Sequence, residues 1–155
     1  MTKPFQDLIE FIKSLYPGLY PVPLHAPIFT GNEKKYMQNC IDTTFVSSVG
    51  KYVTQFEEIT TQYTGAKHAV AFVNGTAALH IALQVAGVER GDEVITQSLT
   101  FVATANAIAH AGAEPVFVDV DMDTLGMSPV ALSKWLKSNV FMDAETKSAV
   151  NITTN

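Results

Sequence analysis

Residues 68–120 read HAVAFVNGTAALHIALQVAGVERGDEVITQSLTFVATANAIAHAGAEPVFVDV, and this stretch decides the fold. Three short apolar runs, 68–73, 93–96 and 115–120, lack the polar alternation of a half-solvated strand. Between them lie two segments of helical character, 76–85 and 102–111, which close near Gly87 and at Gly112. Ser128-Pro129 then supplies an N-cap with proline in the first helical position and opens a further helix to about Lys137. The order β-α-β-α-β-α predicts an α/β fold, a parallel sheet with right-handed crossovers. Three parallel strands leave both sheet edges unpaired, so the pattern reads as the N-terminal part of a larger α/β protein.

Upstream, Phe5, Leu8, Ile9, Ile12 and Leu15 are spaced for an amphipathic helix over 4–16, stopped by Pro17-Gly18. A Pro-rich connector through Pro27 is expected to be extended and able to lie across another subunit. A helix near 32–43 places Tyr36, Met37, Cys40 and Ile41 on its apolar side. A turn at SSVGK precedes a helix near 53–63 with Val53, Phe56, Ile59 and Tyr63 facing inward and Gly65 at its end. Glu57 and Glu58 read as its solvated face. The tail after Asp143 shows no clear period. The expected organisation is a helix and arm over 1–30 and an incomplete large domain over 31–155.

The chain has 155 residues, 47% of them apolar and 16% charged, so a core is expected and disorder is not. Ten Lys+Arg against fifteen Asp+Glu give a net charge of −5, which argues against nucleic acid or an anionic membrane as partner. One cysteine, Cys40, leaves no internal disulfide, and its apolar helical face predicts a buried, inert thiol. The N-terminus mixes Asp7, Glu10 and Lys13 into its apolar stretch and reads as neither signal peptide nor membrane span. A cytoplasmic location is expected.

Ligands of open parallel sheets collect beyond the carboxyl ends of the strands. There, Val73-Asn74-Gly75-Thr76 runs straight into a helix whose free N–H groups and dipole suit a phosphate. The same residues also read as a plain turn and helix start. The loop 97–101 brings Phe101 to that edge, as a platform for a planar ring or as core. Neither GxGxxG nor GxxxxGK[ST] occurs. Asp119, Asp121 and Asp123 imitate a calcium loop, but Thr124 and Val130 occupy its glycine and glutamate positions, and a solvated acidic cluster is the better reading. His25, His68, His80 and His110 lack ligand spacing; His80 and His110 read as satisfied core residues, and no metal site is expected.

VGKYVTQFE, VNGTAALHIAL, GDEVITQSLTFVATANAI and AGAEPVFVDVDMDTLGMSP, in this order, resemble the N-terminal half of the DegT/DnrJ/EryC1/StrS nucleotide-sugar aminotransferases. The resemblance runs from about Pro4 to Lys137. It implies a fold-type I large domain, pyridoxal 5'-phosphate as cofactor and a homodimer with active sites at the subunit interface. LHAPIFTGNEKKYMQNCIDTTFVSSVGKYV is similar to the branch that aminates a UDP-linked 4-keto-6-deoxy sugar on the way to legionaminic-type nonulosonic acids.

By the same resemblance, Gly75, Thr76 and Ala77 hold the cofactor phosphate and Phe101 stacks on the pyridine ring. Ser47, Ser48, Val49, Gly50 and Lys51 form a loop near the sugar nucleotide. Glutamate is implied as amino donor. The Schiff-base lysine is expected beyond Asn155, and none of the nine lysines, Lys3 to Lys147, sits in the family's lysine motif. No catalytic residue is therefore assigned, and the 155-residue chain alone is expected to be inactive. The alternative is a non-catalytic module, truncated or completed by a partner, that retains the phosphate-binding loop.

Overall fold

The computed structural model describes residues 4–154. The first three residues of the expected arm and Asn155 lie outside the described residues. These divide into two units between Gln55 and Phe56. The first holds α1 (Gln6–Leu15), α2 (Glu33–Asp42) and the start of α3 (Lys51–Thr64). Between α1 and α2 the connector forms neither helix nor strand. The second unit holds the rest of α3, then α4 (Gly75–Val85), β1 (Glu93–Gln97), α5 (Ala103–His110), β2 (Glu114–Val118), α6 (Pro129–Asn139), β3 (Val140–Met142) and β4 (Ala149–Asn151). No described helix is long and apolar enough to cross a membrane.

The α/β class holds. β1 and β2 pair in parallel from Glu93 opposite Glu114 to Gln97 opposite Val118. The register is set just before the strands: Gly91 N–H donates to Gly112 O at 3.1 Å and Glu114 N–H to Asp92 O at 2.8 Å. α5 makes the crossover, and its Ala107 and Ile108 form the core with Ala113, Val118 and the buried Thr96. Gly112 follows α5 with φ +82°, where only glycine is unstrained. α6 starts as its sequence predicts, with Ser128 Oγ accepting the Ala131 N–H at 3.2 Å and Pro129 at the first helical position.

Several expectations are corrected. Residues 68–73 form no strand, and the parallel sheet has two strands rather than three. No described strand lies alongside to complete a ladder; instead the Ala71 N–H is taken by Glu57 Oε1 at 2.8 Å. Glu57 is thus half-buried rather than solvated, while Phe56, Ile59 and Tyr63, expected inside, are 62%, 63% and 91% exposed. Tyr36, Met37 and Ile41 of α2 are likewise exposed, and Cys40 is only half-buried. Periodicity tells which residues share a face, not whether anything covers it.

The unpatterned tail also has structure. β3 and β4 form an antiparallel pair, and Asn151 Nδ2 and the Thr154 hydroxyl donate to the Glu93 carboxylate at 2.8 and 2.6 Å. Three-residue strands are too short to show a period in sequence.

A methyl group at Gly112 would meet Arg90 Cγ at 3.2 Å and its backbone Cα at 3.4 Å, whereas Gly87, at φ +89°, faces open space. Gly87→Ala is expected to cost about 1 kcal/mol, the left-handed penalty alone, and Gly112→Ala about 2 kcal/mol or more. Urea-unfolding midpoints of the two variants measure the difference.

In the β3–β4 turn, the Glu145 N–H, at 2.8 Å, and then the Thr146 hydroxyl hold the Asp143 carboxyl below its ordinary pKa. A depressed folded-state value means stabilisation that is present above the unfolded value and lost as pH falls through the folded one. The Glu145 amide proton should therefore shift on acidification below about pH 4, and Asp143→Asn should abolish that step.

Candidate functional site

Asn74 adopts an extended conformation (φ −160°) and caps α4, its Oδ1 accepting the Ala77 N–H at 2.9 Å. The turn reading and the helix-start reading thus describe one object. Gly75 and Thr76, the first helical residues, have no intrahelical acceptor for their N–H groups and find none elsewhere among the described residues. Nothing lies within 4 Å of where a Gly75 Cβ would stand. Two donors, the adjacent Thr76 hydroxyl and the positive end of an 11-residue helix therefore bound an open space. Of the three residues assigned to a phosphate, Ala77 is the one whose N–H already has a partner.

The second loop lies at the same end of the unit. Leu79, one turn into α4, and Thr104, at the start of α5, line one small apolar cavity of about 90 Å³. The Thr104 hydroxyl in turn lies 3.1 Å from that of Thr100, next to Phe101. Phe101 is 78% exposed and is therefore not a core residue. Gln97, the last residue of β1, ties this loop down: its Nε2 donates to Leu99 O at 2.6 Å and to Leu125 O at 3.2 Å. That link spans two strand-end loops and has no local sequence signal. After β2, the Asp119 and Asp121 carboxylates accept backbone N–H groups of Val120 and Asp123, both at 2.8 Å.

Neither His80 nor His110 is the satisfied core residue that its apolar helix predicts. His80 has its Nε2 buried without a hydrogen-bond partner. Its ring meets that of the exposed His110 edge-on, with centroids 5.8 Å apart.

In the first unit, Ser47, Val49, Gly50 and Lys51 line a cavity of about 310 Å³ that Cys40 also borders; Ser48 lies in the same turn but not on the wall. Val49 N–H donates to Ser47 Oγ at 3.3 Å. Lys51 Nζ lies 5.0 Å from the centroid of the Tyr52 ring. The Tyr52 hydroxyl donates to Asn39 Oδ1 at 3.0 Å, and its ring packs on Tyr36 at 4.9 Å, tilted by 44°. Tyr36, Asn39 and Tyr52 carried no sequence expectation as a group, because a contact spanning 13 residues leaves no local pattern.

In a parallel α/β unit, ligands collect beyond the carboxyl ends of the strands, and here an open helix start and an exposed aromatic side chain stand at that end. This chain belongs to the DegT/DnrJ/EryC1/StrS aminotransferase family, which it matches over residues 27–140. It is 46% identical over 111 residues to a GDP-perosamine synthase of Caulobacter vibrioides, covering 72% of this chain and 30% of that protein. It is 44% identical over 111 residues to the spore coat polysaccharide biosynthesis protein SpsC of Bacillus subtilis, covering 72% and 28%. Among solved structures it resembles an aminotransferase from Psychrobacter cryohalolentis, with a TM-score of 0.65 and 34% identity over 72% of this chain and 29% of that one. It also resembles NtdA of Bacillus subtilis with bound cofactor PMP, with a TM-score of 0.62 and 28% identity over 69% and 25%. The chain thus spans about 30% of the length of the curated relatives it matches.

Asn74→Ala removes the cap from α4 and is expected to lower stability by about 1 kcal/mol, while Asn74→Asp, which keeps an acceptor, should restore most of it. Thermal unfolding of both variants checks this.

Proposed function

We propose that this chain supplies the cofactor-phosphate cup of a pyridoxal-phosphate-dependent aminotransferase acting on a nucleotide-linked 4-keto-6-deoxy sugar. Glutamate is the amino donor, and the product enters surface-polysaccharide or nonulosonic-acid synthesis. The carrying observation is the start of α4: two unpartnered N–H groups beside an open Gly75 in a chain of this family. The donor set fits a phosphate dianion, since it offers N–H and O–H groups and no carboxylate within the segment.

When bound, pyridoxal phosphate supplies the electron sink for amino-group transfer. Gly75 and Thr76 would hold its phosphate, Ala77 joining if Asn74 yields its N–H, and the exposed Phe101 ring would lie on the pyridine face. Gln97 keeps that loop in place. Lys51 and its neighbours would meet the sugar nucleotide. Relatives named as GDP-perosamine synthases favour a nucleotide-sugar substrate, and UDP against GDP is decided by binding. A homodimer would cover apolar faces such as Phe56, Ile59 and Tyr63.

The test uses pyridoxine 5'-phosphate, which lacks the aldehyde and so does not label surface lysines. Calorimetry should show saturable binding that Gly75→Val weakens at least about tenfold, because branched carbon enters the open space, with an unchanged circular dichroism spectrum. Equal binding by the variant, or none by the parent chain, refutes the cup.

A further inference from the structure

Lys51 is the first residue of α3 and stands exposed at the wall of the 310 Å³ cavity. A lysine there would normally sample many rotamers in water. Here the Tyr52 ring lies 5.0 Å from its ammonium group, and Tyr52 is itself fixed at both ends. Its hydroxyl donates to Asn39 Oδ1 and its ring packs at a tilt against Tyr36. The chain Tyr36–Tyr52–Asn39 therefore ties a helix-start cation to the body of α2. Phe45, Val49 and Val53 make much of the wall apolar, and Asn39, Thr43 and Ser47 add polar atoms. A single held cation beside apolar and aromatic surface suits a ligand that joins an oxyanion to a flat ring. The cavity's size, at the low end of the roughly 300–1,000 Å³ of small-molecule sites, suits part of a nucleotide sugar and not all of it.

We propose that Tyr52 is a positioning residue that holds the Lys51 ammonium group to receive a phosphate of a nucleoside diphosphate in this cavity. The inference rests on the reading of the Ser47–Lys51 loop as substrate-binding and adds how its one cation is aimed. Tyr52 acts through Lys51, so its contribution should exist only while Lys51 is present.

The probes are UDP and GDP, titrated calorimetrically into the parent chain and the Lys51→Met, Tyr52→Leu, Tyr52→Phe and Lys51→Met/Tyr52→Leu variants, with glutamate as a carboxylate control. The expected result is binding of one nucleotide, weakened about tenfold by Lys51→Met and by Tyr52→Leu alike. Tyr52→Phe, which keeps the ring, should lose about threefold or less, and the double variant should be no weaker than Lys51→Met alone. Full affinity in Tyr52→Leu with loss in Lys51→Met overturns the role of Tyr52 and leaves the substrate reading standing. So does a further loss in the double variant, which would mean that Tyr52 acts on its own. Glutamate binding in place of nucleotide overturns the phosphate assignment, and no nucleotide binding by the parent chain overturns both readings together.

Should Tyr52→Leu not fold, the parent chain still decides. The Lys51 εCH₂ protons should carry an upfield ring-current shift that changes on saturation with the nucleotide. Random-coil values for those protons refute the held cation.

Discussion

Two parallel strands cannot be joined by a tight turn; the chain must travel back along the sheet before the second strand begins. In this protein α5 makes that return, and the second unit is organised around it. Ala107 and Ile108 press the helix onto the sheet, and the chain leaves it through Gly112 in a left-handed conformation. The bonds from Gly91 to Gly112 and from Glu114 to Asp92 then fix where β2 starts relative to β1. One residue of slip would move Val118 from the core to the other face of the sheet. The register at the amino ends thereby determines what emerges at the carboxyl ends, where Gln97 and Val118 stand opposite each other.

At those carboxyl ends the same constraint leaves backbone donors open. A helix beginning there exposes N–H groups that its own geometry cannot satisfy. Asn74 answers for one of them, which stabilises the turn without closing it, and Gly75 and Thr76 remain. Gln97 does comparable work for the neighbouring loop, since its side-chain amide bridges Leu99 and Leu125. Stability and ligand capacity therefore trade against each other along one turn of α4: every N–H capped from within is one fewer for an anion.

What the sequence revealed depends on the range of each interaction. Ser128-Pro129, Gly65 and Gly112 act over three or four residues, and their helix boundaries were legible to within a residue or two. The helix start at Gly75 was legible for the same reason. Residues 68–73 have the composition of a strand but form none, because a strand is defined by its neighbour, and composition does not say whether one is there. Glu57 looked solvated because its acceptance of the Ala71 N–H links residues 14 apart. The unpartnered His80 Nε2, the half-buried Cys40 and the Tyr52–Asn39 bond belong to the same class of long-range fact.

The exposed stripe on α3 follows from this distinction. Phe56, Ile59 and Tyr63 keep helical spacing although water reaches most of each side chain, while the opposite side of the helix is occupied by a carboxylate serving a backbone amide. A helix in water gains nothing from an apolar stripe, and aromatic residues are poor helix formers compared with Ala, Glu or Lys. Propensity does not account for the pattern, whereas burial against another surface does. The proposed homodimer would supply such a surface. The same reasoning explains how a chain that is 47% apolar can show, among the described residues, only Ala107, Ile108, Ala113 and Val118 as buried apolar residues. In the proposed homodimer that apolar content would be covered by contacts beyond the core of its own sheet.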